Sequence, residues 1–331
     1  MKQRHFPRLA LTALAFYLAI EILSRVGALN GYMMVILDEC LIYVILAVSL
    51  NLINGITGQF SLGHMGFAAV GAYTSGAITT IAWKLSVHNG AHYAIFIGAL
   101  LAGGLVAGAV GFLIGFPSLR LKGDYLGIVT LGFGEIIRTA LNNMDFVGGP
   151  RGLLGIPKFS TFTVIFVAAF LSVLIIRNLV ESSHGRAMLA IRENELAAEL
   201  VGIDSTKYKV LAFSIGAFFA GIAGGLLAHL LQMAHPSQFG FMGSVLILIM
   251  VYAGGIGSLS GSVLAAFALT FLSQGLLIGI DAVANATGLP IGSEWRMVVY
   301  SVLLILLMLF KTEGLMGTRE SRILAIPEDE K

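Results

Sequence analysis

An all-α, polytopic membrane protein of about eight to ten transmembrane helices is the fold this chain predicts, on three observations. Of its 331 residues 57% are hydrophobic and only 11% charged, whereas soluble domains carry roughly 25% charged residues; the mean hydropathy is +0.91. Apolar stretches of ~20 residues, the length that crosses a bilayer core, recur from one end of the chain to the other. Gly is frequent at 41 residues and Pro scarce at 7, a balance that suits closely packed membrane helices. The whole chain, 1–331, reads as one membrane-spanning domain.

Taken in order, the basic start MKQRHFPR precedes apolar Leu9 to Gly27. Ala13-Leu14-Ala15 resembles a signal-peptide cleavage site, but the apolar run continues past it, which favours an uncleaved first span. Glu21 and Arg25 lie four apart and can pair on one face. Further spans fall at Tyr32–Ile53, Phe60–Ala82, His92–Phe116, Asp124–Asn143, Ser160–Asn178, Lys209–Gln232, Gly240–Gly257, Gly261–Ile280 and Glu294–Phe310. The divisions around Gly55 and Ser258 are short, so two broken hairpins among eight complete spans fit equally well. With both termini inside, only Arg25, Lys84, Arg138, Arg151, Lys158 and Arg296 of the 20 Lys and Arg fall on the outer side. That bias obeys the positive-inside rule and puts both termini, including the tail 311–331, in the cytoplasm. Gly104 and Gly108, Gly111 and Gly115, Gly221 and Gly225, and Gly216, Ala220 and Gly224 have the spacing of helix-packing stripes.

Inside this apolar frame, Asn51 to Tyr73 is anomalous. Gly55, Gly58, Gly63, Gly66 and Gly71 punctuate it, with Asn51, Asn54, Thr57, Gln59, Ser61 and His64 between them. Unpaired polar groups cost several kcal/mol in hydrocarbon, so irregular backbone survives there only when buried in protein or lining a wet cavity. The stretch reads as a broken or re-entrant segment beside a polar pathway, with Asn51, Gln59, Ser61 and His64 as candidate lining. For His64 a buried residue bonded to a neighbouring carbonyl is the favoured reading over a polar substrate contact. A weak internal echo links the Gly-x-x-Ser-Leu words ending near Ser61 and Ser258, which adds Ser258 to the candidates and points to a midplane site. Glu135, three residues before Arg138 within a span, is the remaining candidate, because intramembrane charges face protein or a cavity. Asp38 and Glu39 read as residues of the outer interface, as do Glu294, Trp295 and Arg296.

The longest soluble stretch between spans, 181–208, is charged and helix-favouring from Met188 to Val201. On one helix Asn194, Ala197, Ala198 and Val201 would form a small, flat face, with Arg192, Glu195 and Glu199 on a charged flank. Gly202 can end that helix. Such a helix suits docking into a groove on another protein; an ordinary solvated loop is the alternative.

Several long words in this chain resemble one family in the same order. Glu195-Leu-Ala-Ala-Glu-Leu-Val-Gly202 is similar to the "EAA" loop of bacterial ABC importer permeases, whose short coupling helix seats in the ATP-binding subunit. AIRENELAAELVGIDSTKYKVLAF (190–213), LNLINGITGQFSLGHMGFAAVGAY (50–73), LRLKGDYLGIVTLGFGEIIR (119–138), VGGPRGLLGIP (147–157), VYAGGIGSLSGSVLAA (251–266) and FKTEGLMG (310–317) resemble branched-chain amino acid permeases of the LivM type. Thr312 departs from the family's usual proline and Arg151 from its common asparagine. The resemblance implies a permease subunit of an importer for branched-chain, hydrophobic amino acids in the bacterial cytoplasmic membrane. It implies as partners a second permease of the same kind, two cytoplasmic ATP-binding subunits and an extracytoplasmic binding protein, all in membrane lipid. It also implies Arg192, Asn194, Glu195, Ala197, Ala198 and Gly202 as the contact with the ATPase.

Other chemistry is poorly supplied. There is no Gly-Lys dipeptide, hence no phosphate-cradling Walker loop, so ATP is expected on a partner and no cofactor or enzymatic activity here. The single cysteine, Cys40, and seven unclustered histidines give no metal-ligand spacing. A net charge of +2 gives no reason to expect nucleic acid. A permease for urea or a short amide shares the same sequence pattern. An ion-coupled secondary transporter would need several mid-span carboxylates, and essentially only Glu135 is present.

Overall fold

The computed structural model describes residues 6–27, 29–84, 92–118 and 123–287, with positions 302, 305, 309, 311 and 314–317. Nearly all of it is helix. The long elements are α1 (Phe6–Arg25), α2 (Gly31–Asn51), α3 (His64–Lys84), α4 (His92–Ser118), α5 (Asp124–Asn142), α6 (Phe162–Glu181), α9 (Ser205–Leu231), α10 (Phe241–Gly254) and α11 (Leu259–Thr287). Two short helices, α7 (Ser183–Glu193) and α8 (Glu195–Leu200), lie between α6 and α9. Nine of the ten expected spans coincide with helices; the tenth, Glu294–Phe310, lies almost wholly outside the described residues. Among the described residues four stretches are long and apolar enough to cross a bilayer by themselves: Gly31–Ile56, His92–Phe116, Phe162–Glu181 and Ser205–Leu231. Phe241–Gly254 and Leu259–Gln274 are shorter apolar helices. The protein is an all-α, multi-pass membrane protein.

α2 occupies the centre. It starts where Asn30 caps it, the side chain accepting from Met33 N at 2.8 Å, and it is apolar on every side, as a fully surrounded helix must be. It packs on α6, α9, α10 and α11. Asp38 of α2 is buried within the bundle, and Glu39 accepts from Gln274 Nε2 of α11 at 2.9 Å. α1 lies against α6 and α11 through Phe16 and Tyr17, the Tyr17 hydroxyl 3.0 Å from Thr163 Oγ1. Its Glu21–Arg25 pair closes at 3.1 Å.

α3, α4 and α9 form a second unit whose contacts are made by small residues. A Cβ at Gly71 of α3 would overlap the backbone of Gly221 in α9, and one at Gly224 would overlap Ala68. Gly103, Gly104, Gly108 and Gly111 of α4 meet α3 or α9 in the same way. The expected packing stripes are thus packing surfaces, where close backbone approach supplies the van der Waals contact that holds membrane helices together. At the far end of α9, Gln232 turns left-handed and the chain forms a two-residue ladder, β1 (Leu153–Leu154) with β2 (Met233–Ala234). This ladder fastens the VGGPRGLLGIP segment, with its exposed Arg151, to the connection between α9 and α10.

Candidate functional site at the loop end of the bundle

The anomalous stretch is broken, as expected, and its break has a defined form. α2 ends at Asn51 and widens into a five-residue π-turn, Leu52–Ile56, after which Thr57 to Gly63 is non-helical until α3 begins at His64. Such a turn leaves an amide out of the regular ladder, and here the Thr57 hydroxyl adds a bond to the Leu52 carbonyl at 2.8 Å. Asn54 then holds the returning strand: its Oδ1 accepts from Ser61 N at 3.2 Å. Leu62 N donates to Thr130 Oγ1 of α5 at 3.0 Å. The third span thus starts at His64 and not at Phe60.

The second glycine word, at the turn from α10 to α11, meets the first in space. Asn51 Nδ2 donates to the Ser258 carbonyl at 2.9 Å, and Asn51 Oδ1 accepts from Gly257 N at 3.0 Å. One amide side chain therefore clasps both polar groups of the other turn, and its burial is complete. The turn needs its glycines: Gly255 and Gly257 have φ of +111° and +87°, a region costly to side chains with a Cβ. Ser258 caps α11, its Oγ accepting from Gly261 N at 3.1 Å. The end of α10 is closed by a distant segment, with Leu315 N donating to Ala253 O at 2.7 Å and Met316 N to Gly254 O at 3.2 Å. The part of the tail at 314–317 is therefore docked onto the bundle. Both glycine words sit at helix ends beside the 181–208 loop.

The loop itself differs from its expected form. Met188 to Val201 is not one helix: the chain breaks at Asn194, whose extended backbone (φ −158°, ψ 106°) ends α7 and whose side chain caps α8 through Ala197 N at 3.1 Å. A residue that competes for backbone donors favours a cap over a helix interior. The expected small face is only partly presented: Asn194, Ala197 and Val201 are exposed, but Ala198 faces inward. Ala198 is buried, whereas Leu196, Leu200 and Val201 are 67%, 88% and 77% exposed. Asn194, Ala197 and Gly202 are exposed beside them, Gly202 at φ +89°. The charged flank is tied to α9: Glu195 pairs with Lys209 at 2.6 Å, and Glu199 accepts from Ser205 Oγ at 2.5 Å. Arg192 also points into the protein, where Nη1 donates to the Gly55 carbonyl at 2.9 Å while Nε and Nη2 hold Glu193.

The remaining candidates divide into two places. Gln59, Ser61 and His64 are all buried within the re-entrant segment. Ser49 Oγ lies 3.0 Å from Leu46 O, to which it donates, and 2.8 Å from His64 Nε2. His64 is thus a buried residue held beside the Ser49 hydroxyl and the Leu46 carbonyl. Its Nδ1, the Ser61 hydroxyl and both polar atoms of Gln59 have no partner in the structure. Glu135 lies elsewhere. It pairs with Arg138 at 2.7 Å and its other oxygen accepts from Phe241 N at 3.2 Å, so it neutralises the N-terminus of α10. Among the described residues no three His, Cys, Asp or Glu gather as metal ligands. Sequence reasoning missed Gly257, the docked tail and Lys209; the repeated glycine word was the one local signal for the first.

Comparison with known proteins gives a consistent answer. Residues 32–308 match the family described as "Branched-chain amino acid transport system / permease component". The high-affinity branched-chain amino acid transport system permease protein LivM of Salmonella typhimurium is 36% identical over 312 residues, covering 83% of this chain and 68% of that protein. LivM of Escherichia coli K12 has the same identity and coverage. The E. coli permease protein LivH is 26% identical over 300 residues, covering 84% of this chain and 92% of its own length. No solved structure matches significantly.

Proposed function

Because the chain belongs to the family of branched-chain amino acid transport permeases, we propose that it is the membrane-spanning subunit of an ABC importer for branched-chain, hydrophobic amino acids in the bacterial inner membrane. The observation that carries the energy-coupling part is the surface of α8. Leu196 and Leu200, four residues apart, and Val201 stand exposed on a loop otherwise tied down by the Lys209–Glu195 pair. A short, rigidly anchored helix offering apolar side chains in a charged loop has the form of a peg for a hydrophobic groove. The groove belongs to a cytoplasmic ATP-binding subunit, since the sequence holds no phosphate loop of its own. Two such subunits, a second permease and an extracytoplasmic binding protein complete the importer. The likeness to both LivM and LivH supports a permease pair of related halves. The positive-inside bias of Lys and Arg supports an orientation with α8 and both termini in the cytoplasm. Closure of the ATPases then pulls the loop, and the spans rock between outward- and inward-open states around the broken segments.

Leu200→Glu tests this reading. The variant is expected to reach the membrane at normal level, lose the ATP-binding subunits on purification and lose ATP-dependent leucine uptake. Unchanged uptake would remove α8 from the ATPase contact. Uptake of urea instead of leucine by the wild-type complex would replace the substrate assignment.

A further inference from the structure

Arg192 was expected on the docking face, yet its guanidinium lies between the two glycine-broken turns. Besides its bond to the Gly55 carbonyl at 2.9 Å, its side chain covers Gly58, where a Cβ would lie 2.8 Å from Arg192 Cγ. It also covers Gly257, where a Cβ would lie 2.6 Å from Arg192 Nη1. Gly58 and Gly257 both have positive φ, +71° and +87°. Any larger residue at either place would be strained and would push the arginine out. Glu193 holds the guanidinium from the other side through Nε at 3.1 Å and Nη2 at 2.7 Å. Asn51 joins the same two turns from within. One cation on the loop thus touches the π-turn that ends α2 and the turn that starts α11.

We infer that Arg192 is a positioning residue that carries movement of the α7–α8 loop to the two broken turns, and is not a contact with the ATPase. The inference rests on the coupling role proposed above for α8. Its physical content is a short mechanical path. The exposed Leu196 and Leu200 of α8 follow Arg192 by four and eight residues, across the cap at Asn194. A shift of the loop therefore moves a guanidinium that is bonded to a carbonyl left free by the π-turn. The chain is flexible on the receiving side because both turns hinge at glycine. The bond to Gly55 joins the loop to a turn 137 residues away in sequence.

The test uses the full importer with its binding protein in lipid vesicles and compares wild type with Arg192→Met, which keeps bulk but donates nothing. The variant should retain its ATP-binding subunits and basal ATP hydrolysis. Stimulation of hydrolysis by loaded binding protein, and leucine moved per ATP, should each fall roughly fivefold or more. Arg192→Lys, which restores a donor toward Gly55, should recover part of both. Loss of the ATP-binding subunits from Arg192→Met would make the residue a docking contact and overturn the inference. Normal stimulation and stoichiometry would overturn it equally. Should Arg192→Met not reach the membrane, Glu193→Ala, which frees the guanidinium from its carboxylate, is read by the same two ratios, with loss expected and normal ratios overturning. Failure of the wild-type vesicles to take up leucine with ATP would instead refute the proposed function, whatever the variants do.

Discussion

The contact of α3, α4 and α9 and the junction of the two glycine words use the same residue type for opposite ends. In the first, glycines sit inside regular helices, and their missing side chains let backbones touch over several turns. Every displacement there breaks many small contacts at once, so the unit behaves as a wall. In the second, glycines sit in turns at positive φ, and three long polar side chains, Asn51, Asn54 and Arg192, make the connections. A few directional hydrogen bonds across a hinge can be exchanged for others. Glycine therefore stiffens one region and loosens the other, and the backbone conformation decides which.

The sharpest way to break that comparison is at the wall. Gly71→Leu would force α3 away from Gly221, and overpacking on this scale costs about 3 kcal/mol. The variant is expected to accumulate poorly and to melt at a lower temperature in detergent, with uptake falling in proportion to protein. A normal melting temperature would mean that α3 and α9 are not in backbone contact.

At the junction the expected signature is reversed. Asn51→Leu keeps apolar bulk but leaves Gly257 N and Ser258 O without partners, at about 1–3 kcal/mol. Membrane level should fall modestly while uptake per molecule falls about tenfold, the change that ~1.4 kcal/mol in a conformational equilibrium brings. Loss of level and uptake in equal measure would place the junction with the wall, as a packing element.

The smallest effect is expected at Glu135. Its contacts are local, to Arg138 and to the first amide of α10, so Glu135→Gln should cost about 0.5–1 kcal/mol and leave uptake near wild type. Collapse of uptake with an unchanged melting temperature would instead return Glu135 to the translocation pathway.

Much of this was legible before any coordinates. Hydropathy and length are local properties, and they located the spans because each helix must satisfy its own backbone bonds in lipid. The glycine-rich word at Asn51 to Tyr73 announced a break, since no lipid-facing helix tolerates it. The order of long motifs pointed to the family. Tertiary structure alone decided the partners. Asn51 meets Ser258 across 207 positions of sequence, and the direction of Arg192 depends on a carbonyl freed by a π-turn that no local pattern specifies. Ala198 was expected on one docking face with Asn194, Ala197 and Val201; those three are exposed, whereas Ala198 is buried and Leu196 and Leu200 stand out beside them. Hydrogen-bond partners and the rotation of a short helix are set by what packs beside them, and periodicity in one segment carries no record of its neighbours.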